Sequence, residues 1–80
     1  MNKQELKQAL ETILFVATRP LTPNQLSKLI GDCETKMIKE LVSELNKSYL
    51  KTSRVFRIEN AADGFQMQTL PEYKKWAQTL

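Results

Sequence analysis

Residues 54–70 read RVFRIENAADGFQMQTL, and this stretch decides the fold. Apolar and polar side chains alternate through it with a period of two, the signature of strands. Phe56 and Ile58 fall on one side of a first strand, with Val55, Arg57 and Glu59 on the other. Phe65, Met67 and Thr69 alternate with Gln66 and Gln68 on a return strand. Between them lies Ala61-Ala62-Asp63-Gly64, a hairpin turn in which Asp-Gly supplies residues that tolerate positive φ. A lone hairpin is marginal in water, so Phe56, Ile58, Phe65 and Met67 are expected to lie partly over a helical core.

Upstream of residue 54 the period is helical. Residues 3–17 place Leu6, Leu10, Ile13, Leu14 and Ala17 on one stripe, with Ala9 and Val16 at its edge. Phe15 falls nearly opposite, which suits either a cover from another element or contact with another chain. Arg19-Pro20-Leu21-Thr22-Pro23 ends this helix and opens a short second one over about residues 23–30. Thr22 can cap it and Pro23 suits its first position. Leu26, Leu29 and Ile30 are expected to face inward, Gly31 to terminate the helix in the left-handed region, and Asp32 or Cys33 to begin a tight turn. A third helix, about residues 34–50, carries Ile38, Leu41, Val42, Leu45 and Tyr49 inward, with Met37 at the margin. Downstream, Pro71 opens a last helix over about 71–79, with Tyr73, Trp76, Ala77 and Leu80 at i, i+3, i+4 and i+7.

Helix, helix, helix, strand, strand, helix is the plan of a winged helix: an α+β, mostly α domain. Its body is three helices containing a helix-turn-helix, its wing is a two-stranded hairpin, and a short helix closes it. All 80 residues make one domain. Hydrophobic residues are 41% and charged residues 26% of the chain, an ordinary globular balance. No apolar run approaches the roughly 20 residues of a membrane span, and the polar start carries no signal-peptide pattern. The single Cys33 excludes an internal disulfide, fits a reducing cytoplasm and reads as structural or incidental.

Composition also bears on chemistry. The chain has no His, so the commonest general base and a common metal ligand are missing. Two glycines, Gly31 and Gly64, cannot build a phosphate-cradling loop. Glu40 and Glu44 lie one helical turn apart without a partner motif. No catalytic residue, metal ligand, cofactor or small-molecule ligand is expected.

Binding is a different matter. Net charge is +3 from 12 basic and 9 acidic residues, mixed along the chain. Contact with DNA would use Lys36, Lys39 and Lys47 on the third helix, and Lys51, Arg54 and Arg57 at the base of the wing. Glu34, Glu40 and Glu44 interrupt that helical face, Asn46 is its only amide, and the wing tip has no basic residue. Such a face reads first as a solvated one. Gln66, Gln68 and Gln78 suit a polar interface or water. Tyr73 and Trp76 suit either core packing or a protein interface, where Trp and Tyr bring large area at small entropic cost.

Taken together, these segments resemble the bacterial segregation and condensation protein B (ScpB) family. The residues that carry the likeness are Ala9-Leu10-Glu11-Thr12-Ile13-Leu14-Phe15-Val16-Ala17, Arg19-Pro20-Leu21-Thr22, and Leu26 with Leu29-Ile30-Gly31. They continue with Tyr49, Asp63-Gly64-Phe65-Gln66-Met67-Gln68-Thr69, Pro71-Glu72-Tyr73, and Trp76 with Leu80. Asp63-Gly64 replaces the Gly-Gly usual in the family, and Lys28, Lys36, Lys39 and Lys47 dilute the acidity of its second and third helices.

The resemblance implies an accessory subunit of the bacterial condensin complex, cytoplasmic and nucleoid-associated. Such a subunit acts in chromosome condensation and segregation by scaffolding. It implies a homodimer on an ScpA-like kleisin subunit, which in turn joins a structural-maintenance-of-chromosomes (SMC) ATPase, with DNA reached through the complex. It also implies that these residues correspond to the N-terminal half of a two-domain protein. The interface candidates are Phe15, Phe65, Tyr73 and Trp76. The alternative function is a DNA-binding transcription regulator of the winged-helix class.

Overall fold

The structure, a computed structural model, describes residues 1–31 and 33–80. Its elements are α1 (Lys3–Val16), α2 (Pro23–Ile30), α3 (Thr35–Lys51), β1 (Phe56–Ala61), β2 (Gly64–Thr69) and α4 (Lys74–Gln78). A single 3₁₀ turn, Pro71–Tyr73, precedes α4. The winged-helix plan read from the sequence is the plan observed. The turn assigned to Asp32 lies outside the described residues.

The first two helices start where their caps dictate. Asn2 and Glu5 form a reciprocal box at α1: Glu5 N–H donates to Asn2 Oδ1 (2.8 Å) and Asn2 N–H to Glu5 Oε1 (3.1 Å). Thr22 and Gln25 do the same at α2, at 3.1 and 2.9 Å. Such boxes satisfy two of the amides a helix start leaves open. Gly31 ends α2 at φ +93°, the left-handed terminator expected of it.

The core is one cluster. Leu6, Leu10 and Leu14 of α1, Leu26 of α2, and Ile38, Leu41, Val42, Leu45 and Tyr49 of α3 are buried together with Leu21 and Ile58. Burying one such aliphatic side chain is worth about 1.5–3 kcal/mol. Phe56, Phe65 and Met67 lie partly buried against the cluster, so the wing covers the helices as expected. Two periodicity-based expectations fail. Leu29, read as inward, is 61% exposed, and Val16 at the stripe edge is 75% exposed. Both sit in the last turn of their helix, where no third element among the described residues covers the stripe.

The hairpin pairs Phe56 with Thr69, Ile58 with Met67, and Ala61 with Gly64. A two-residue loop joins the strands, and its central residues Ala62 (φ +46°) and Asp63 (φ +63°) both occupy the left-handed region. Such loops match the twist of the strands they join. The sequence reading placed positive φ at Asp-Gly; the structure moves it one residue upstream. Gly64 is needed for space instead. A Cβ there would lie 2.5 Å from the carbonyl oxygen of Leu21.

That contact exists because Leu21 pairs with Phe65 as a one-residue third strand. Leu21 N–H donates to Phe65 O (3.0 Å) and Phe65 N–H to Leu21 O (2.7 Å). Nothing in the periodicity announces it. The available signal is Leu21 itself, an apolar residue in the short extended piece that Pro20 and Pro23 impose.

The terminal segment differs most from expectation. The 71–79 helix is a 3₁₀ turn followed by five residues of α-helix, and every residue from 71 to 80 is exposed. Tyr73, Trp76 and Leu80 are therefore not core residues.

Candidate interaction surfaces

Three rings run outward from the core. Tyr49 is buried on α3, and its hydroxyl donates to Glu11 Oε2 on α1 at 2.6 Å. Burial first, and then this hydrogen bond, push the phenol above its ordinary pKa. Phe56 of β1 meets Tyr49 edge-on at 4.8 Å between centroids, and Phe15 meets Phe56 edge-on at 5.2 Å. Edge-to-face pairs add about 0.5–1.5 kcal/mol beyond burial. The reading that another element of the domain covers Phe15 is met in part. One edge is covered by the wing, and 55% of its surface still faces out.

Tyr73 and Trp76 form a second cluster, their rings 5.8 Å apart and 31° from parallel, with Lys75 Nζ 4.4 Å above the indole. Both rings are exposed, Trp76 by 58%. Phe65, the remaining candidate, is half-buried: its backbone pairs with Leu21 and its ring packs against the core. The four sequence candidates therefore separate. Phe15, Tyr73 and Trp76 present aromatic surface, whereas Phe65 is largely used within the domain.

The six basic candidates separate as well. Lys36, Lys39, Lys47, Lys51 and Arg54 are exposed. Arg57 is half-buried, and its Nη1 donates to the Arg54 and Phe56 carbonyls at 3.0 and 2.6 Å, which turns the guanidinium onto its own backbone. Asn46, read as an outward amide, is turned inward. Its Nδ2 donates to Ile58 O (2.9 Å), and Ile58 N–H donates to its Oδ1 (2.8 Å). The exposed lysines of α3 could still reach phosphates or guanine edges, but its outer face has no Arg and no amide left for bidentate reading of a base.

Glu44 of α3 is engaged by α1. Its carboxylate accepts from Lys3 Nζ at 2.5 Å and from Lys7 Nζ at 2.8 Å. These hydrogen bonds hold its pKa near 2, against an ordinary 4.5, and raise that of Lys3. A depressed carboxylate stabilises the fold fully above the unfolded value and loses that contribution as pH falls through the folded one. Glu44→Gln is therefore expected to flatten the pH dependence of the urea midpoint between about pH 4.5 and 2. By the same linkage the variant should be less stable than wild type at neutral pH by the amount the wild type loses along that limb, an amount that solvent screening of the partly exposed pair keeps modest. A variant with the acid limb of the wild type would refute this.

An apolar groove that the sequence reading did not foresee lies between the end of α1 and α2. Ile13, Ala17 and Leu21 line its floor, Val16 and Leu29 are its exposed apolar rims, and Arg19 also lines it. Among the described residues no helix is long and apolar enough to cross a membrane.

Residues 8–80 match the model of the family described as segregation and condensation complex subunit ScpB. The whole chain is 35% identical over 80 residues to segregation and condensation protein B of Syntrophotalea carbinolica, and spans 40% of that relative. A crystal structure of a conserved hypothetical protein from Chlorobium tepidum superposes with a TM-score of 0.83 at 30% identity, over 96% of this chain and 48% of that one. A crystal structure of a dimer of an ScpB N-terminal domain complexed with ScpA peptide has the same fold. Its TM-score is 0.83 at 18% identity, over 100% of this chain and 93% of that one. The chain thus spans about two-fifths of the curated relatives it matches.

Proposed function

Because the chain belongs to the ScpB family of segregation and condensation complex subunits, we propose that it is a non-catalytic dimerisation and docking module. In this reading it serves chromosome condensation and segregation in the cytoplasm, at the nucleoid. Two copies pair and hold an ScpA-like kleisin segment, and the kleisin joins them to an SMC ATPase. DNA is held by the assembly rather than by α3.

The observation that carries this reading is where the aromatic surface lies. Phe15, Tyr73 and Trp76 are exposed on a domain whose core is complete without them. Large exposed apolar groups mark protein contacts, and Trp and Tyr are the residues most often found at their energetic centres. The DNA-regulator alternative loses support on α3, where Asn46 holds the wing, Glu44 holds α1, and Glu40 stands among the lysines.

Light scattering over a concentration series tests the dimer. Wild type is expected at twice 9.3 kDa. Phe15→Ala or Trp76→Ala is expected to weaken self-association or kleisin binding by about 2 kcal/mol, roughly thirtyfold in Kd. A strict monomer that also fails to bind the kleisin of its own organism, or one that binds duplex DNA with a steep salt dependence, would overturn the reading.

A further inference from the structure

The groove between α1 and α2 has no occupant among the aromatic candidates. Helical periodicity assigns Leu29 to the core and Val16 to its edge, yet both project beside this groove, 61% and 75% exposed. Beneath them Ile13, Ala17 and Leu21 form a floor that belongs to the domain's own packing. An apolar floor between two raised apolar rims fits a segment that carries its own apolar stripe.

Charge identifies the kind of segment. From Thr12 to Ile30 the chain carries Arg19 and Lys28 and no Asp or Glu, although it has nine acidic residues in all. Arg19 lines the groove itself, and Lys28 precedes the rim residue Leu29 and is exposed. An incoming chain meets cations and no opposing carboxylate from these residues, which favours Asp or Glu beside its apolar positions.

The same charges disfavour the terminal helix of a second copy as the occupant. The chain's own exposed stripe of Tyr73, Trp76 and Leu80 is flanked by Lys74 and Lys75, with Glu72 as its one acid. Seating that helix here would bring lysines toward Arg19 and Lys28. We propose that the groove lined by Ile13, Val16, Leu21 and Leu29 docks an amphipathic segment of the kleisin partner that carries acidic residues. The inference rests on the docking reading above and assigns it a surface separate from Phe15, Tyr73 and Trp76.

The test compares kleisin affinity by titration calorimetry, and the mass of the chain alone by light scattering, for wild type, Leu29→Glu, Arg19→Glu and Leu50→Glu. Leu50 is a comparably exposed apolar residue on α3, outside the groove. Circular dichroism melts establish that each variant is folded. Leu29→Glu is expected to weaken kleisin binding at least tenfold with self-association unchanged. Arg19→Glu should weaken it severalfold and flatten its dependence on salt, and Leu50→Glu should do neither. Wild-type affinity in Leu29→Glu overturns the proposal. So does a loss of self-association in that variant, which would give the groove to a second copy. An unchanged affinity and salt slope in Arg19→Glu removes the acidic identity of the segment. A wild-type chain that binds no kleisin overturns the docking reading itself. That outcome differs from a wild type that binds and a Leu29→Glu variant that binds equally well.

Discussion

Gly64→Ala is expected to cost about 3 kcal/mol and to lower Tm by roughly 10–20 °C. The added methyl would lie 2.5 Å from the Leu21 carbonyl oxygen and 2.6 Å from its carbon. Both atoms are backbone, so no side-chain rotation relieves the contact. Either the segment before α2 or the hairpin must move, and the two Leu21–Phe65 hydrogen bonds are lost, at about 1 kcal/mol each, with overpacking strain in addition. A domain of this size has about 4–12 kcal/mol in total. The neighbouring position gives the opposite sign. Ala62 occupies the left-handed region at φ +46°, where an L-residue is strained by about 1–2 kcal/mol. Ala62→Gly removes that strain and costs part of it back in unfolded-chain entropy, a net gain of about 0.5–1 kcal/mol. Urea denaturation followed by far-ultraviolet circular dichroism measures both. A Gly64→Ala variant within 1 kcal/mol of wild type would show that the hairpin and Leu21 are not in contact.

Asn46→Ala is expected to cost about 2–3 kcal/mol. Leu70 N–H donates to Val55 O at 2.8 Å, and in an antiparallel pair the inward-bonding residues alternate. That alternation points the N–H and C=O of Ile58 away from β2, toward α3, where the Asn46 amide meets both. Removing the amide leaves two polar groups on a buried residue without their partner. Asn46→Asp retains the acceptor for Ile58 N–H but sets a carboxylate oxygen against the Ile58 carbonyl, so it should not rescue. The consequence reaches the surface: β1 carries Phe56, against which Phe15 rests. Asn46→Ala should therefore also loosen the position of Phe15, visible as averaging of its ring resonances. Full stability in the variant would mean that water replaces the amide without loss.

The three helices, the hairpin and ten of the eleven buried core residues were legible because each follows from periodicity or from a cap. Leu21 was the exception, since one residue of strand has no period. Features that depend on two distant segments meeting were not legible either. The Asn46 clip spans 12 positions and the Leu21–Phe65 pair 44, and each looks, in sequence, like a polar face or a loop. Val16 and Leu29 were misassigned because a stripe records which face is apolar, not how far a neighbouring element extends along it. The terminal helix shows the same limit: Tyr73, Trp76 and Leu80 have the spacing of a core stripe, yet all three are exposed among the described residues. Of the interface candidates, Phe15 was found by its conflict with the stripe. The apolar groove emerged only once the ends of α1 and α2 were placed together.

The position of Trp76 has a spectroscopic consequence. It is the chain's one tryptophan, and it stands outside the core on a short helix. Its emission in the monomer should already resemble that of the unfolded chain, so at concentrations below self-association fluorescence is nearly blind to the folding transition. The same exposure makes it a reporter of assembly. A partner that covers the indole moves it from water into an apolar setting, and a blue shift then records docking with no added label.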